Sequence, residues 1–372
     1  MRQTLIFADD GYAALSTYLK SLACKRVLLV HGNSMKRLAV GHYLLSMREK
    51  LGMEVVEFTD FTPNPEIESA IAGAHMCKNR GCDLIIACGG GSAMDIAKCI
   101  RVFCEADMET PDFWQHLHPG KLPLVAIPTT AGTGSEATHF AVVYHKGKKL
   151  SIGQKDNIPQ AVVFDAAAII NLPLRQKQST YLDAMCHAIE SYWSIKATVE
   201  SRVYAGEALR LLCANRGYVS GKADISDCLA ILLAAHYAGK AINISRTTAA
   251  HAMCYVLTKR FALRHGQAAA LCLRYLWPYM LAKLPNETSA VQQNVKESFA
   301  GITEAMACDS VGESIELFTQ IIKSCEWDKL QNVDGVRIDE LINSVNIQRL
   351  QNHPIVLTRQ DFKYLYQAIV RA

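Results

Sequence analysis

The stretch CDLIIACGGGSAMDIAK, residues Cys82 to Lys98, decides the fold. Its first half is a short apolar run ended by three glycines, which is typical of a buried strand of a parallel sheet that ends in a tight turn. Its second half has helical spacing from about Ala93, with Ser92 placed as the helix cap. Glycines let a ligand approach the backbone, and the N–H groups at a helix start favour anions. The turn therefore predicts a pyrophosphate site.

The glycine turn matches neither of the two common phosphate-binding patterns. It fits neither G-x-G-x-x-G nor G-x-x-x-x-G-K-[ST]. Taken by themselves, its residues leave open a glycine-rich turn that binds nothing.

A second polar turn follows the next apolar run. The run LPLVAIPTT, Leu122 to Thr130, predicts another buried strand. Hydroxyls and free amides on a turn suit ribose and phosphate oxygens, although a plain Ser/Thr-rich loop is the alternative. The hydroxyls belong to Thr129, Thr130, Thr133 and Ser135.

Outward from these turns, apolar runs alternate with amphipathic stretches, which predicts β–α units on a parallel sheet. Further strands are predicted at Arg26–Gly32 and Ala161–Asp165. Helices are predicted at Lys36–Lys50 and at Pro65–Arg80, the second capped by Asn64 with proline at its first position.

The second half of the chain has a different character. From Leu174 onward, long stretches with a 3.6-residue period predict an all-helical domain. Pro173 and the polar stretch Arg175–Ser179 mark the boundary, which gives domains at residues 1–173 and 174–372 with a site expected in the cleft between them. The predicted helices are Tyr181–Ser194, Ser201–Cys213, Ile225–Ile244 and Thr247–Thr258.

Composition narrows the class of protein. The 372 residues carry 39 basic and 35 acidic side chains, a net charge of +4 without a long basic run, so nothing indicates nucleic acid or an anionic membrane as partner. Thirteen cysteines scattered through apolar segments indicate reduced core thiols. With Asp9 and Asp10 where a signal peptide needs apolar residues, we expect a cytoplasmic protein. A homodimer is expected by base rate.

The helical half contains candidate metal ligands. Asp183 and His187 stand four residues apart, so on a helix their side chains share one face. His251 lies early in a later helix, and His265 lies where a loop ends and another helix starts. Three imidazoles and one carboxylate would hold a divalent ion with one or two positions left for substrate. A solvated pair or a satisfied cap is the alternative for Asp183 and His187.

These motifs together resemble the iron-containing, group III alcohol dehydrogenase family over nearly the whole chain. GGGSAMDIAK, HPGKLPLVAIPTTAGTGSEAT, DAMCHAIESYWS and HAMCY with the later HG occur in the family's order and spacing, and FTPNP matches its early loop. The resemblance implies an N-terminal dinucleotide-binding α/β domain, an all-α C-terminal domain and a metal in the cleft.

The resemblance also implies roles for individual residues. Asp183, His187, His251 and His265 take the ligand positions, and Lys149 corresponds to a family lysine near the nicotinamide ribose. Thr129, Thr130, Thr133 and Ser135 form the second nucleotide turn, while the pyrophosphate turn comprises Gly89, Gly90, Gly91, Ser92 and Asp95.

Two features depart from the common family pattern. Many members have a histidine four residues after the third ligand, where this chain has Tyr255, so the phenol either substitutes in a proton relay or fills space. The segment Ile242–Thr258 is most similar to the phosphonoacetaldehyde reductases. In such an enzyme Arg246 could bind a phosphonate bidentately, through two N–H groups, or it could form a surface or interdomain ion pair.

The identity of the cofactors stays open at this level. The segment after the first predicted strand offers Asn33, Ser34 and Lys36 but no carboxylate to select NAD(H) over NADP(H). A site of N and O ligands accepts Fe²⁺, Zn²⁺, Mn²⁺ or Co²⁺.

The expected activity is reduction of a small aldehyde, with phosphonoacetaldehyde as the first candidate, by hydride from NAD(P)H with the metal polarising the carbonyl. Within the family, a sugar-acid or diol oxidoreductase is the alternative. Outside it, the same architecture serves dehydroquinate synthase-like lyases and glycerol-1-phosphate dehydrogenases, and a non-catalytic binding protein is the remaining class.

Overall fold

The computed structural model describes residues 3–326, 330 and 336–371, the side chain of Gln348 excepted. The chain consists of two compact units, Met1–Leu172 and Pro173–Ala372. The first is an α/β unit and the second is helical, which confirms the predicted fold class.

The first unit is built on a six-stranded parallel sheet in the order β1-β8-β5-β4-β2-β3, with β6 and β7 forming a separate antiparallel pair. Its central strands are buried on both faces, as expected for a sheet covered by helices. The strands are β1 Thr4–Phe7, β2 Arg26–His31, β3 Glu54–Phe58, β4 Leu84–Gly89, β5 Leu124–Pro128, β6 Phe140–His145, β7 Lys148–Gly153 and β8 Ala161–Phe164.

Helices connect the strands of this unit. Of the two longest, α4 buries one apolar face and ends at Gly81, whereas α5 is buried over most of its surface and ends at Cys104. The helices are α1 Ala13–Ser21, α2 Ala39–Leu45, α3 Met47–Leu51, α4 Ile67–Arg80, α5 Gly91–Phe103 and α6 Ala167–Ile170, with 3₁₀ turns at Met35–Arg37, Phe113–Gln115 and Ser135–Ala137.

The strand order identifies a ligand-binding edge of the sheet. The chain runs from β2 outward to β3 and then returns past β2 to β4, so the direction of winding reverses between β2 and β4. In open α/β sheets, ligands bind outside the carboxyl ends of the strands at such a reversal. The segments that leave these two ends are the one containing Asn33 and Ser34 and the glycine turn that begins at Gly89.

The helix predicted over Lys36–Lys50 is wrong as a single element. It is a 3₁₀ turn followed by α2 and α3, because Leu38 is extended (φ −95°, ψ 150°) and Ser46 interrupts the helical backbone.

Two predicted helix caps are also wrong. The helix α4 begins at Ile67 with Glu66 as cap, because the Pro65 carbonyl accepts a hydrogen bond from Tyr144 and Asn64 has φ 57°. Similarly, α5 begins at Gly91 with Gly90 as cap, two residues before the predicted start, so Ser92 lies inside the first turn.

Several strands have no counterpart in the sequence-based prediction. The strand β1 has only four residues at the sheet edge, and β3 has the partly exposed sequence EVVEF, so neither shows a long apolar run. The pair β6 and β7 follows the second polar turn, where the sequence-based prediction has no strand.

The second unit contains the remaining helices. The polar stretch Arg175–Ser179, predicted as a boundary, lies in the first turns of α7, which starts directly after Pro173. The helices are α7 Leu174–Trp193, α8 Val199–Ala214, α9 Ile225–Ser245, α10 Ala249–Phe261, α11 His265–Lys283, α12 Ser289–Ala305, α13 Val311–Lys323, α14 Ile338–Asn343, α15 Ile347–Leu350 and α16 Arg359–Val370, with 3₁₀ turns at Arg216–Ser220 and Leu284–Asn286.

One described helix, α9, has the length and hydropathy of a membrane span. In its most apolar 18-residue segment, 56% of α9 is buried inside the protein, and α9 packs against α7 and α8. It is therefore accounted for as a core helix of this unit. None of the thirteen cysteines forms a disulfide, and ten of them are buried.

Candidate metal centre and nucleotide turns

Three predicted ligands form one buried cluster in the helical unit. Asp183 and His187 project from one face of α7, and His251 comes from the first turn of α10. One ligand atom from each lies within 4.8 Å of the other two. The Asp183 Oδ1 atom is 3.4 Å from His251 Nε2 and 3.8 Å from His187 Nε2. Ligand atoms around a first-row divalent ion at ~2.1 Å are about 3–3.5 Å apart, so small movements would complete the coordination.

His265, the fourth predicted ligand, lies at the edge of this cluster. Its Nε2 is 3.8 Å from Asp183 Oδ1, and its ring is 5.5 Å from that of His251. Its side chain is 38% exposed, whereas those of His187 and His251 are 7% and 2% exposed. His265 therefore stands on the solvent side of the cluster.

The buried polar atoms of the cluster fit a metal ion. Asp183 Oδ1 and His251 Nε2 are fully buried and face each other without a hydrogen-bond partner, an arrangement that costs about 1–3 kcal/mol per unsatisfied group. Burial raises the pKa of Asp183, but the positive charges of His187, His265 and His251 outweigh it and hold the pKa below its usual range. A cation at this point satisfies these atoms.

Gly266 lets the helix carrying His265 approach α7. A Cβ at this position would lie 1.8 Å from the Ser179 carbonyl oxygen and 2.9 Å from Asp183 Cβ. No side chain fits there, so glycine is what brings His265 next to Asp183.

The structure adds Glu190, which the sequence-based prediction missed. Its carboxylate is fully buried and accepts a hydrogen bond from His251 Nδ1. The carboxylate also accepts hydrogen bonds from Thr248 N, Thr248 Oγ1 and His251 N at 3.0, 2.8 and 3.3 Å. A remote carboxylate thus caps α10 and fixes the His251 ring with Nε2 toward Asp183. Glu190 lies on α7 seven residues after Asp183 and three after His187. This spacing places all three on one face of the helix and could have indicated Glu190 from the sequence.

The charges of this contact support one another. Burial raises the pKa of Glu190, but His251 and the hydrogen bonds outweigh it and lower the pKa to about 2. In the same way, burial lowers the pKa of His251, but the charges of Glu190 and Asp183 and the hydrogen bond to Glu190 overcome this effect and raise the pKa.

The two polar turns lie side by side in the first unit. Each follows one of two adjacent parallel strands, since Gly89 pairs with Pro128 and Thr129 N donates to the Gly89 carbonyl. A Cβ on Gly90 would lie 3.1 Å from Thr130 Oγ1, and one on Gly91 would lie 2.9 Å from Thr133 Cγ2. The glycines therefore also let the turns contact each other.

Asp95 and Ser135, both expected at the nucleotide, bond to each other. The Ser135 hydroxyl donates to Asp95 Oδ1 at 2.6 Å, and the Val142 amide donates to Asp95 Oδ2 at 3.1 Å. Buried Lys98 donates to the carbonyls of Ser135 and Phe140, both at 2.7 Å. These hydrogen bonds connect α5 to the second turn and stabilise the conformation of that turn.

The other predicted nucleotide residues are spread over the same unit. Asn33 and Ser34 are exposed in the loop that leaves β2. Lys149 lies on β7. Burial raises the pKa of Asp95, and the charge of Lys149 opposes this rise. At the end of β3, Glu57 pairs with Lys36 at 2.7 Å. A carboxylate thus lies near the end of the strand that pairs with β2.

The two residues expected at the substrate, Tyr255 and Arg246, lie in the helical unit. The Tyr255 ring stacks on that of His265, with centroids 5.6 Å apart and planes at 19°. Burial raises the pKa of Tyr255, so its phenol keeps its proton at neutral pH. Arg246 is half-buried at the end of α9, with φ 65°. Burial and the neighbouring charge of Arg349 lower its pKa.

We expect Gly90→Val to raise the dissociation constant of NAD(P)H at least about tenfold, because the added side chain meets Thr130 where the turns touch and covers the helix start. Isothermal titration with each nucleotide measures this. The control is Gly206→Ala, whose Cβ would make only ordinary contacts at 3.8 Å. Wild-type nucleotide affinity in Gly90→Val would contradict a role in nucleotide binding.

Comparison with known families agrees with this architecture. The model described as iron-containing alcohol dehydrogenase matches residues 3–166, and the C-terminal model of the Fe-containing alcohol dehydrogenase family matches residues 177–370. Together they cover nearly the whole chain.

Individual relatives differ in their substrates. Long-chain-alcohol dehydrogenase 1 of Geobacillus thermodenitrificans is 25% identical over 369 residues, 96% of this chain and 93% of that protein. Phosphonoacetaldehyde reductase of Streptomyces viridochromogenes is 34% identical over 230 residues, 57% of each chain. A solved 1,3-propanediol oxidoreductase superposes with a TM-score of 0.84 at 24% identity and covers 98% of this chain and 97% of its own.

Proposed function

Because the chain belongs to the iron-containing alcohol dehydrogenase family and is an oxidoreductase of that class, we propose that it reduces a small anionic aldehyde with NADH or NADPH. The observation that carries the reductase activity is the buried cluster of Asp183, His187 and His251, whose unpaired atoms fit a divalent cation. Intact ligand positions argue against a non-catalytic protein.

The proposed ligands are these three residues together with His265. Bound Fe²⁺ supplies a Lewis acid for the carbonyl oxygen, and bound NAD(P)H supplies the hydride. Asp183 provides the negative charge of the ligand set, and Glu190 keeps the imidazole of His251 in the orientation that a ligand needs.

We assign the proton-donating group to Tyr255. Its ring lies against His265, and its raised pKa keeps the phenol protonated in the pH range where aldehydes are reduced. A protonated phenol at this position can donate to the oxygen of the nascent alcohol, and water then restores it.

The proposed substrate is phosphonoacetaldehyde, which would be reduced to 2-hydroxyethylphosphonate. Two observations support an anion: the half-buried guanidinium of Arg246 five residues before His251, and the 34% identity to a phosphonoacetaldehyde reductase. The likeness to 1,3-propanediol oxidoreductase supports a neutral diol as the second candidate.

The test is a substrate panel on metal-reconstituted protein. Phosphonoacetaldehyde, propanal and 3-hydroxypropanal are each offered with NADH and with NADPH, and absorbance at the nicotinamide band follows consumption. Stoichiometric oxidation with phosphonoacetaldehyde preferred supports the proposal. Preference for 3-hydroxypropanal replaces it with a diol oxidoreductase, and no turnover of any aldehyde rejects it.

We expect Arg246→Ala to lower kcat/KM for phosphonoacetaldehyde by about 2–4 kcal/mol, roughly 30- to 800-fold, because a charge-assisted contact is lost. For propanal the loss is expected to stay below about threefold. Parallel kinetics on both aldehydes measure the selectivity. Equal losses on the two aldehydes would assign Arg246 a structural role.

We further propose a compartment, an oligomeric state and a test for the metal. Free thiols are kept in a reducing compartment, so we place the protein in the cytoplasm. We propose a homodimer, which light scattering on the purified chain tests. Metal analysis after reconstitution with Fe²⁺, Zn²⁺, Mn²⁺ and Co²⁺ identifies the ion that supports turnover.

A further inference from the structure

A second arginine, Arg349, lies close to the metal cluster, although it is at least 84 residues from each of the proposed ligands in sequence. It belongs to the short helix α15, and its Nη1 donates a hydrogen bond to Thr247 Oγ1. Its guanidinium carbon lies 5.4 Å from the centroid of the Tyr255 ring, which in turn stacks on His265. Arg349 and a proposed metal ligand, His265, therefore both lie next to the Tyr255 ring.

The position of Arg349 is defined from two sides. The asparagine that caps α15, Asn346, accepts a hydrogen bond from the Arg349 amide, and its own amide donates to the carbonyl of Ala252 in α10. Next to it, Asn352 donates to the Thr247 carbonyl at 3.2 Å. The helix α15 is thus fastened to both ends of the segment that carries His251.

The charge of Arg349 is not neutralised within the described residues. Its side chain is half-buried, and none of the described carboxylates forms an ion pair with it. Its electrostatic neighbour is another cation, Arg246, whose pKa is lowered by burial and by Arg349. A guanidinium that no described carboxylate pairs with can bind an anionic group at this place.

We propose that Arg349 is a specificity-determining residue that binds the oxyanion end of the aldehyde, a role that rests on the proposed reductase function. The Arg349 guanidinium donates one N–H group to Thr247 and lies over the Tyr255 ring. These two contacts fix the orientation of its other N–H groups. Such a fork binds a phosphonate, sulfonate or carboxylate through two oxygens, and the neighbouring charge of Arg246 favours the dianion.

The experiment compares Arg349→Gln and Arg349→Lys with the wild-type metal-loaded enzyme. The matched control is Arg210→Gln, an exposed arginine that pairs with Glu207. We expect Arg349→Gln to lower kcat/KM for phosphonoacetaldehyde about 30- to 300-fold, mostly through KM, and to change propanal reduction less than about threefold. Arg349→Lys, which keeps the charge and loses the fork, should recover part of the loss.

A binding measurement separates this inference from the proposed reaction. Isothermal titration with methylphosphonate, methanesulfonate and acetate, which cannot be reduced, identifies the anion class without turnover. We expect methylphosphonate to bind most tightly and to lose at least about tenfold in affinity in Arg349→Gln, with Arg210→Gln unchanged.

Two results would overturn the assignment of Arg349. Equal losses on phosphonoacetaldehyde and propanal would show that Arg349 supports Tyr255 and His265 structurally. Undiminished methylphosphonate binding in Arg349→Gln would show that the anion lies elsewhere. If the wild-type enzyme reduces no aldehyde but methylphosphonate binding still depends on Arg349, the reductase function fails while the anion site stands.

Discussion

Replacing Asp183 by asparagine is expected to abolish stable metal binding and to lower kcat/KM for the preferred aldehyde by at least about 10³-fold, ~4 kcal/mol. Asparagine has nearly the same shape, so the change removes the charge and leaves the packing of α7 in place. The carboxylate is the one anionic member of the proposed ligand set, and its Oδ1 lies within 3.8 Å of all three imidazole nitrogens. Elemental analysis after dialysis, with kinetics on the same samples, measures both effects.

The matched control for this variant is Asp361→Asn. Asp361 is also a buried carboxylate of the helical unit, but it accepts hydrogen bonds from Lys283 and Tyr279, both at 2.6 Å. We expect this variant to lose about 1–3 kcal/mol of stability and to keep its metal and activity. Wild-type metal content in Asp183→Asn would remove Asp183 from the ligand set.

The second large effect is expected at Glu190. Glu190→Ala leaves His251 Nδ1 and both donors of Thr248 without their buried acceptor, so we expect the free energy of unfolding to fall by about 3–5 kcal/mol. The isosteric Glu190→Gln keeps the volume but not the charge, and we expect it to weaken metal binding about 10- to 100-fold. Chelator competition measures this affinity, and denaturant titration measures the stability.

The sign of the pH dependence gives an independent check on Glu190. Its pKa is lowered in the folded protein from 4.5 to about 2, so its contribution to stability is present above pH 4.5 and is lost as the pH falls toward 2. Metal-free Glu190→Gln should therefore lose less stability than wild type over this interval. The control, Glu207→Gln, removes an exposed carboxylate. If Glu190→Gln and Glu207→Gln bind metal equally well, Glu190 does not position His251.

Much of the architecture follows from patterns that are local in sequence. Apolar runs gave correct positions for β2, β4, β5 and β8, because a strand buried on both faces must be continuously apolar. The 3.6-residue period identified α7 to α10, because a helix that packs on a core repeats its apolar residues with the period of the helix. Short or half-exposed elements such as β1 and β3 lack that constraint, and the sequence did not reveal them.

The sequence by itself determined the order of the two fold classes, the family, and the i, i+4 pairing of Asp183 with His187, since each depends on neighbouring residues or on a motif. Only the tertiary structure decided which groups surround that pair. The contact of Glu190 with His251, the fit of Gly266 against Ser179, and the place of Arg349 over Tyr255 join segments 61, 87 and 94 residues apart. Such contacts exist only after the helices pack, because no local period or propensity encodes which helix face meets which.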